Sequence, residues 1–153
     1  MRLLVVSDSH GNAYNLRNAV MRQPNADMII HLGDGESDYE SVILGGEKES
    51  VFVRGNCDYN SKYPALRILE VGGKRVMCTH GYAYHVKYGL LTLSLAAKEQ
   101  KADIVLFGHT HQPLELYEDG IYYLNPGSVG YGNPTYGYVD ILSSGIMTNI
   151  LKI

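Results

Sequence analysis

The first third of the chain alternates short apolar segments with segments of helical character. Apolar runs rich in β-formers occupy residues 2–7, 27–32 and 50–54, and each ends in a polar loop. Between them, residues 12–23 repeat apolar positions at helical spacing, and residues 37–44 stop at a pair of glycines. This order predicts a β-α-β-α-β unit, which is typical of a parallel sheet with right-handed crossover connections.

The later part of the chain is dominated by pairs of strand-like segments that flank turn residues. The pairs are residues 66–71 and 74–79, 114–118 and 121–125, and 136–142 and 146–153. Each pair surrounds a glycine-containing turn and predicts a hairpin. We expect these hairpins to form a second, mainly antiparallel sheet. The predicted fold class is therefore α/β, a four-layer α-β-β-α sandwich of two mixed β-sheets flanked by helices, in a single domain over residues 1–153.

A further helix and strand are predicted between the first two hairpins. Residues 88–101 have helical character, with Leu91, Leu95 and Ala96 marking the expected apolar face. Residues 103–107 form an apolar run that predicts another buried strand. The chain shows no internal repeat and no low-complexity linker.

Composition narrows the functional classes. Of the 153 residues, 45% are hydrophobic and 19% are charged, so the chain can bury a core. The net charge of −3 argues against a nucleic-acid partner. Two cysteines are too few for a disulfide framework, and the N-terminal apolar run is too short for a signal peptide or a membrane span. We expect a cytoplasmic protein without a membrane partner.

Side chains of the types that commonly bind metal ions follow the ends of five predicted strands. They are Asp8 and His10, Asp34, Asn56 with Asp58, His80, and His109 with His111. Each motif alone is also explained by a helix cap, a turn or a strand-ending histidine. The carboxyl ends of parallel strands meet at one sheet edge, so we expect these groups to converge. Their repetition at that edge favours a metal centre over packing.

The donor types indicate which ions suit such a centre. Nitrogen and oxygen ligands without thiolates suit Mn²⁺, Fe, Zn²⁺ or Ni²⁺ more than Ca²⁺. The ligand set is too large for one ion, but it serves two if one carboxylate bridges them. Two metals about 3.5–4 Å apart suit displacement at phosphorus. We expect two divalent ions, Mn²⁺ first, with Ni²⁺, Fe, Zn²⁺ or Mg²⁺ as alternatives.

These motifs, in this order, resemble the calcineurin-like metallophosphoesterases, and most closely the small YfcE-type phosphodiesterases. The resemblance covers essentially the whole chain and includes Asn125-Pro126-Gly127-Ser128. It implies one metal on Asp8, His10 and His111, a second on Asn56, His80 and His109, and a bridging Asp34. A hydroxide bridging the metals would then attack phosphorus. Asp34, Asn56 and His80 are the residues to which we assign catalysis.

The chain departs from the family pattern at two positions. Cys57 stands where many members have a histidine that is a candidate proton donor, and a thiol is a poorer match to that task. We therefore predict a bias toward good leaving groups. Asp58 either orients this motif or acts as a structural cap. Tyr82 stands where the subfamily often has histidine; we expect nearby His85 to be a surface residue and His31 a core histidine.

Tyrosines and one arginine have two interpretations each. The tyrosines near the motifs are Tyr82, Tyr84, Tyr88, Tyr131, Tyr136 and Tyr138. They wall a pocket or stack on a base, or they pack and form an interface of a homo-oligomer, which we favour. Arg54 contacts a phosphate or, as we favour, forms a surface salt bridge.

The resulting functional hypothesis is a dimetal phosphodiesterase acting on a small phosphate ester. A phosphomonoesterase or pyrophosphatase using the same site is the nearest alternative. A non-catalytic scaffold, such as the retromer subunit with this fold, is the alternative of a different class. A scaffold has no need for all seven ligand positions, which are present here, so metal content discriminates between the two.

Overall fold

The computed structural model describes residues 1–153 and contains ten strands and three α-helices. The strands are β1 (Arg2–Val6), β2 (Met28–His31), β3 (Glu49–Phe52), β4 (Leu66–Val71), β5 (Lys74–Thr79), β6 (Ile104–Leu106), β7 (Leu114–Glu118), β8 (Ile121–Asn125), β9 (Thr135–Leu142) and β10 (Gly145–Lys152). The helices are α1 (Ala13–Met21), α2 (Glu36–Val42) and α3 (Leu91–Glu99). None of the helices has the length and apolar character needed to cross a bilayer.

Two mixed five-stranded sheets form the centre of the molecule. The first sheet has the order β10-β9-β1-β2-β3, in which β1, β2 and β3 are parallel. The second has the order β4-β5-β6-β8-β7, in which β5, β6 and β8 are parallel and the edge strands are antiparallel. Helices α1 and α2 cover the first sheet and α3 covers the second. The predicted four-layer sandwich is confirmed.

Alternating residues of β1 explain the layers. Leu3 and Val5 pack into the cluster between the sheets, whereas Leu4 and Val6 pack with the helices α1 and α2. Successive side chains of a strand point to opposite faces, so an uninterrupted apolar strand must be covered on both. The five strand residues from Arg2 to Val6 thus join two of the three hydrophobic clusters.

The last hairpin corrects one prediction. Strands β9 and β10 belong to the first sheet, where β9 pairs antiparallel with β1. Val139 and Ile141 face the layer between the sheets, and Asp140 holds Arg2 in an ion pair of 2.7 Å. Two parallel strand pairs also make the second sheet less antiparallel than expected. The apolar pattern of a hairpin shows that it is buried, but it does not select the edge with which it pairs.

Helix α3 corrects a second prediction. It begins at Leu91, after two short 3₁₀ turns, and it buries Leu93 and Ala97. Leu91 and Leu95 are 73% and 58% exposed. Both pairs have the i, i+4 spacing of one helical face, and the two faces lie on opposite sides of the helix. The spacing therefore did not distinguish the buried face from the exposed one.

Candidate metal centre

The seven predicted ligands come together at the carboxyl ends of strands from both sheets. Asp8 and His10 follow β1, Asp34 follows β2, and Asn56 follows β3. His80 follows β5, and the pair His109 and His111 follows β6. The two sheets therefore contribute side chains to one cluster across the top of the sandwich.

One group of ligand atoms, the first triad, consists of Asp8, His10 and His111. Asp8 Oδ1 lies 3.1 Å from His111 Nε2 and 3.5 Å from His10 Nε2, and the two imidazole nitrogens are 3.3 Å apart. Asp8 Oδ2 accepts hydrogen bonds from the Ser7 hydroxyl and the His109 amide. The carboxylate therefore points its other oxygen, Oδ1, at the two imidazoles.

A second group, the second triad, consists of Asn56, His80 and His109. His80 Nε2 lies 3.1 Å from Asn56 Oδ1 and 3.2 Å from His109 Nδ1. Asp34 lies between the triads, because its Oδ2 is 3.2 Å from His80 Nε2 and 3.7 Å from His10 Nε2. Its Oδ1 accepts a hydrogen bond from the Cys57 amide. Asp34 therefore lies within reach of ligand atoms of both triads.

Asp8 Oδ1 tests whether a metal fits these residues. It is the only buried side-chain nitrogen or oxygen in the structure without a hydrogen-bond partner. A buried anionic oxygen without a partner is costly, and a bound cation supplies the missing partner. The ligand atoms of Asp8, His10 and His111 lie within 4.8 Å of one another, as do those of Asp34, His80 and His109. Each of these two groups of residues could therefore hold a metal ion.

Hydrogen bonding fixes the orientation of the most buried imidazole. His80 Nδ1 lies 2.7 Å from the Leu32 carbonyl, which can only accept, so Nδ1 carries the proton. In the neutral ring Nε2 is then unprotonated, faces Asp34 and is available to bind a metal ion. A backbone carbonyl in this role is typical of histidines that bind metals.

Burial and neighbouring charges shift the pKa values of three of the predicted ligands. Burial raises the pKa of Asp34, but His80 and the Cys57 amide outweigh this effect and lower it to about 2. Burial lowers the pKa of His80, but Asp34 and Asp8 outweigh it and raise the value above the usual one. Burial and nearby His80 lower the pKa of His109 to about 4. Both Asp34 and His109 therefore present unprotonated ligand atoms at neutral pH.

The backbone at the site is unusual for residues with side chains. Asp8, His10, Asp34, His109 and His111 all have positive φ, between 45° and 69°. Left-handed conformations of non-glycine residues are uncommon and cluster at functional sites. Gly108 permits this packing, because a Cβ there would clash with the Ser7 hydroxyl oxygen. The glycines that stand beside the ligands in the sequence indicated sharp turns at these positions.

The Asp58 carboxylate is held by backbone amides, whereas the Cys57 thiol is exposed beside the ligands. Asp58 accepts four hydrogen bonds, from the backbone amides of Asp34, Gly35, Glu36 and Gly55. It thus caps α2 and also holds the turn that carries Asp34, so its two predicted roles coincide. The Cys57 thiol is exposed, and its Sγ lies within 4.8 Å of ligand atoms of His10 and Asp34.

Two of the tyrosines near the motifs, Tyr131 and Tyr82, lie against ligand imidazoles. The Tyr131 ring stacks on His111 at 5.8 Å and lies 5.0 Å from His10. The Tyr82 ring meets His109 edge-on at 5.4 Å. Both side chains are more than half exposed. Sequence proximity to the ligand motifs was the signal that could have placed them here.

The Asn125-Pro126-Gly127-Ser128 segment, given no role from sequence, connects the loops of the site. Asn125 Nδ2 donates to the Gly108 carbonyl and the Thr110 hydroxyl. Ser128 Oγ donates to the Asp8 carbonyl and accepts from the Tyr131 amide. The segment therefore fixes the turns on both sides of the first triad.

His31 is a core histidine, as predicted. It is fully buried, its Nδ1 accepts from the Gly33 amide, and its Nε2 lies 3.2 Å from the Ser9 hydroxyl. Ser9 in turn donates to Asp38 at 2.6 Å. Burial lowers the pKa of His31 to about 4. This polar network lies beneath the Asp8–His10 turn, while His85 is exposed, as expected.

Three cavities border the ligands. One, of about 510 Å³, lies beside His111 and is lined by Tyr131 and Lys152, and the other two lie beside other ligands. The larger, of about 650 Å³, is the acidic cavity; besides His10 and Asp34 it is lined by Glu36, Glu40 and Asp58. The smaller, of about 410 Å³, is the Arg54 cavity; it is lined by Arg54, Ala65, Tyr82 and Ala83 together with Asn56 and His80. The acidic cavity and the Arg54 cavity lie beside different ligands. The charged side chains that line the first are mainly carboxylates, whereas the second is lined by an arginine.

Comparison with known proteins agrees with this site. A model of the calcineurin-like phosphoesterase superfamily domain matches residues 1–144. The probable metallophosphoesterase YsnB of Bacillus subtilis is 32% identical over 130 residues, which cover 84% of this chain and 75% of that protein. The probable metallophosphoesterase MJ0623 of Methanocaldococcus jannaschii is 35% identical over 131 residues, or 84% and 68% of the two chains.

Solved structures share the whole fold. A predicted phosphoesterase from Streptococcus pneumoniae superposes with a TM-score of 0.82 at 28% identity, covering 99% of this chain and 88% of that one. An archaeal phosphodiesterase (TM-score 0.75, 22% identity, 99% and 100% coverage) and Vps29 from Entamoeba histolytica (0.76, 17%, 100% and 99%) share the fold. The family expected from the motifs is confirmed: this chain belongs to the calcineurin-like phosphoesterase superfamily, and with it to the metal-dependent phosphoesterases.

Proposed function

We propose that this chain is a dimetal phosphodiesterase that hydrolyses a small phosphate diester, with Mn²⁺ as the first ion to test. The observation that carries the proposal is Asp8 Oδ1, a buried carboxylate oxygen aimed at two imidazoles without any hydrogen-bond partner. Such an oxygen is costly to bury unless a cation binds it, which supports a metal centre at this position. Two bound divalent ions supply a water of lowered pKa and neutralise the non-bridging phosphate oxygens.

The chain's own residues divide the work. Asp8, His10 and His111 would hold one ion and Asn56, His80 and His109 the other, with Asp34 shared between them. The Leu32 carbonyl orients His80, and the amides that bind Asp58 hold the turn of Asp34. These contacts hold the ligand side chains in place before an ion or substrate binds, so little rearrangement is needed during the reaction.

Hydrolysis of a diester adds water to phosphorus and breaks one ester P–O bond. One proton of the water goes to the leaving alcohol, and the other is released from the new monoester. The residue beside the ligands that corresponds to a proton donor is Cys57, and burial together with nearby Asp34 raises the pKa of its thiol. Such a thiol protonates a departing alkoxide poorly, which supports the expected bias toward good leaving groups.

The acidic cavity and the Arg54 cavity support a diester over a monoester. They lie on different sides of the ligands, and each is large enough for a substituent of several atoms. A diester has two ester groups to accommodate, whereas a monoester has one.

The test is hydrolysis of bis(p-nitrophenyl) phosphate and p-nitrophenyl phosphate by metal-stripped protein with and without Mn²⁺. Wild type is compared with Asp34→Ala and His109→Ala, and with His85→Ala as the control for an exposed histidine outside the site. We expect metal-dependent diesterase activity that both site variants lose and the control retains. Folded wild-type protein that binds metal weakly and turns over neither ester would refute the enzyme and favour a scaffold.

A further inference from the structure

The Arg54 cavity and the acidic cavity differ in charge. Arg54 is exposed, and its guanidinium makes no hydrogen bond and no ion pair within 4 Å. The surface salt bridge expected from sequence is therefore absent. Of the side chains that line the cavity, Arg54 alone carries a permanent charge. It is a free cation beside Asn56 and His80.

The other walls of this cavity suit an organic group. Ala65, Gly81 and Ala83 are small and leave the space of about 410 Å³ open. Tyr82 contacts His109 through a perpendicular ring arrangement, and 59% of its side chain is exposed, so it presents apolar surface to the cavity. Binding pockets for small molecules begin at about 300 Å³, so the cavity has room for a sugar or a ring.

The acidic cavity makes the charge preference directional. Glu36, Asp38, Glu40 and Asp58 line it, and no lysine or arginine does. An anionic substituent is repelled there and attracted by Arg54 on the other side. The opposite charges of these two cavities therefore direct an anionic ester group away from the acidic cavity and toward the Arg54 cavity.

We infer that the Arg54 cavity is a subsite for an ester substituent that carries a second anionic group, such as a phosphate. This inference rests on the proposed phosphodiesterase function and deepens it by naming the substrate class. Arg54 binds the distant anionic group, and Tyr82 contacts the connecting sugar or ring. The cleaved diester lies at the two triads.

Two p-nitrophenyl esters isolate the effect, because they share a leaving group. One is the ester of thymidine 5′-phosphate, and the other is the 5′ ester of thymidine 3′,5′-bisphosphate, which adds one phosphate. The measured quantity is the ratio of kcat/KM for the second ester to that for the first. Metal ions at the ligands would also attract the added phosphate, so the ratio in wild type alone does not isolate Arg54. The change of the ratio when Arg54 is substituted does.

Arg54→Gln is expected to lower this ratio about fivefold, mainly through KM, because an exposed charge-assisted contact is lost. Arg54→Lys should retain part of the preference, since it keeps the charge. Arg17→Gln, on the exposed surface of α1 and outside both cavities, is the matched control and should leave the ratio unchanged. Equal ratios in wild type and Arg54→Gln would overturn the inference while leaving the phosphodiesterase intact.

Absence of turnover with both esters would instead refute the proposed function. Calorimetric titration with thymidine 3′,5′-bisphosphate, in the presence of Mn²⁺, then tests the subsite alone. We expect wild type to bind it about fivefold more tightly than Arg54→Gln. Equal dissociation constants would overturn the subsite irrespective of catalysis.

Discussion

Of the two triads of the metal centre, only the second contains an imidazole whose other ring nitrogen is held by a hydrogen bond. In the second triad His80 is 3% exposed, and its Nδ1 donates to the Leu32 carbonyl. In the first triad His10 and His111 are 18% and 35% exposed, and the Nδ1 of neither ring has a hydrogen-bond partner. Tyr131 covers these two rings by stacking alone.

This difference shows that similar ligand types do not make equivalent sites. A ring whose second nitrogen is already hydrogen-bonded loses little further freedom when it binds an ion. The first triad has instead a rigid carboxylate, Asp8, and two less constrained imidazoles. We therefore expect the second triad to hold its ion more tightly and the first to exchange its ion more readily.

The largest effect is expected where the triads share a ligand. Asp34→Asn removes the charge between His80 and His10, which weakens the binding of both ions. The activity with Mn²⁺ should therefore fall by about 10³-fold or more. Steady-state hydrolysis of the diester and metal content by elemental analysis measure this. Asp119→Asn, an exposed residue on the β7–β8 turn, is the control. Loss of only one ion without loss of activity would show that the triads are independent.

The network beneath the first triad makes its turn sensitive to pH. The pKa of His31 is about 4 when folded against 6.5 in the unfolded chain, so the unfolded state binds more protons between these values. Stability should therefore fall as pH drops from 6.5 to 4, by up to about 3 kcal/mol from this group.

Urea unfolding of the metal-free protein at several pH values measures this loss. His31→Gln keeps a polar side chain but cannot titrate, so its stability should depend less on pH. The difference between wild type and His31→Gln separates His31 from the other histidines. Parallel pH profiles for the two proteins would contradict the assignment.

Metal titration tests the comparison of the triads directly. Calorimetry of apoprotein with Mn²⁺ should resolve two steps whose dissociation constants differ by about tenfold or more. His10→Ala should remove the weaker step and leave the tighter one, and His80→Ala should remove the tighter. The reverse assignment would show that exposure and ring orientation do not determine affinity here.

The smallest effect is expected at Cys57, beside the shared Asp34. Cys57→His introduces an imidazole of pKa near 6.5, a better proton donor at neutral pH. The rate for an alkyl leaving group should rise up to about tenfold, with little change for p-nitrophenolate. The ratio of the two rates measures this, and Cys57→Ser is the control. An unchanged ratio would place the proton donor elsewhere.

Much of this protein was predictable from local chemistry. Apolar runs and turn residues identified the strands, and Asp34 and His80 were recognisable because polar ligands follow strand ends in a repeated order. Parallel strands bring their ends to one edge, so convergence of these side chains followed from topology. Family membership followed from the same motifs.

Tertiary packing decided what local patterns leave undetermined. Pairing of β9 with β1, and the burial of Leu93 instead of Leu91, depend on which apolar surface each element meets. The same holds for Tyr131 over the first triad and for Arg54 without an acidic partner, because both depend on loops that meet only in the folded chain. Sequence spacing determines which side chains share a face, whereas contacts between distant segments determine what that face touches.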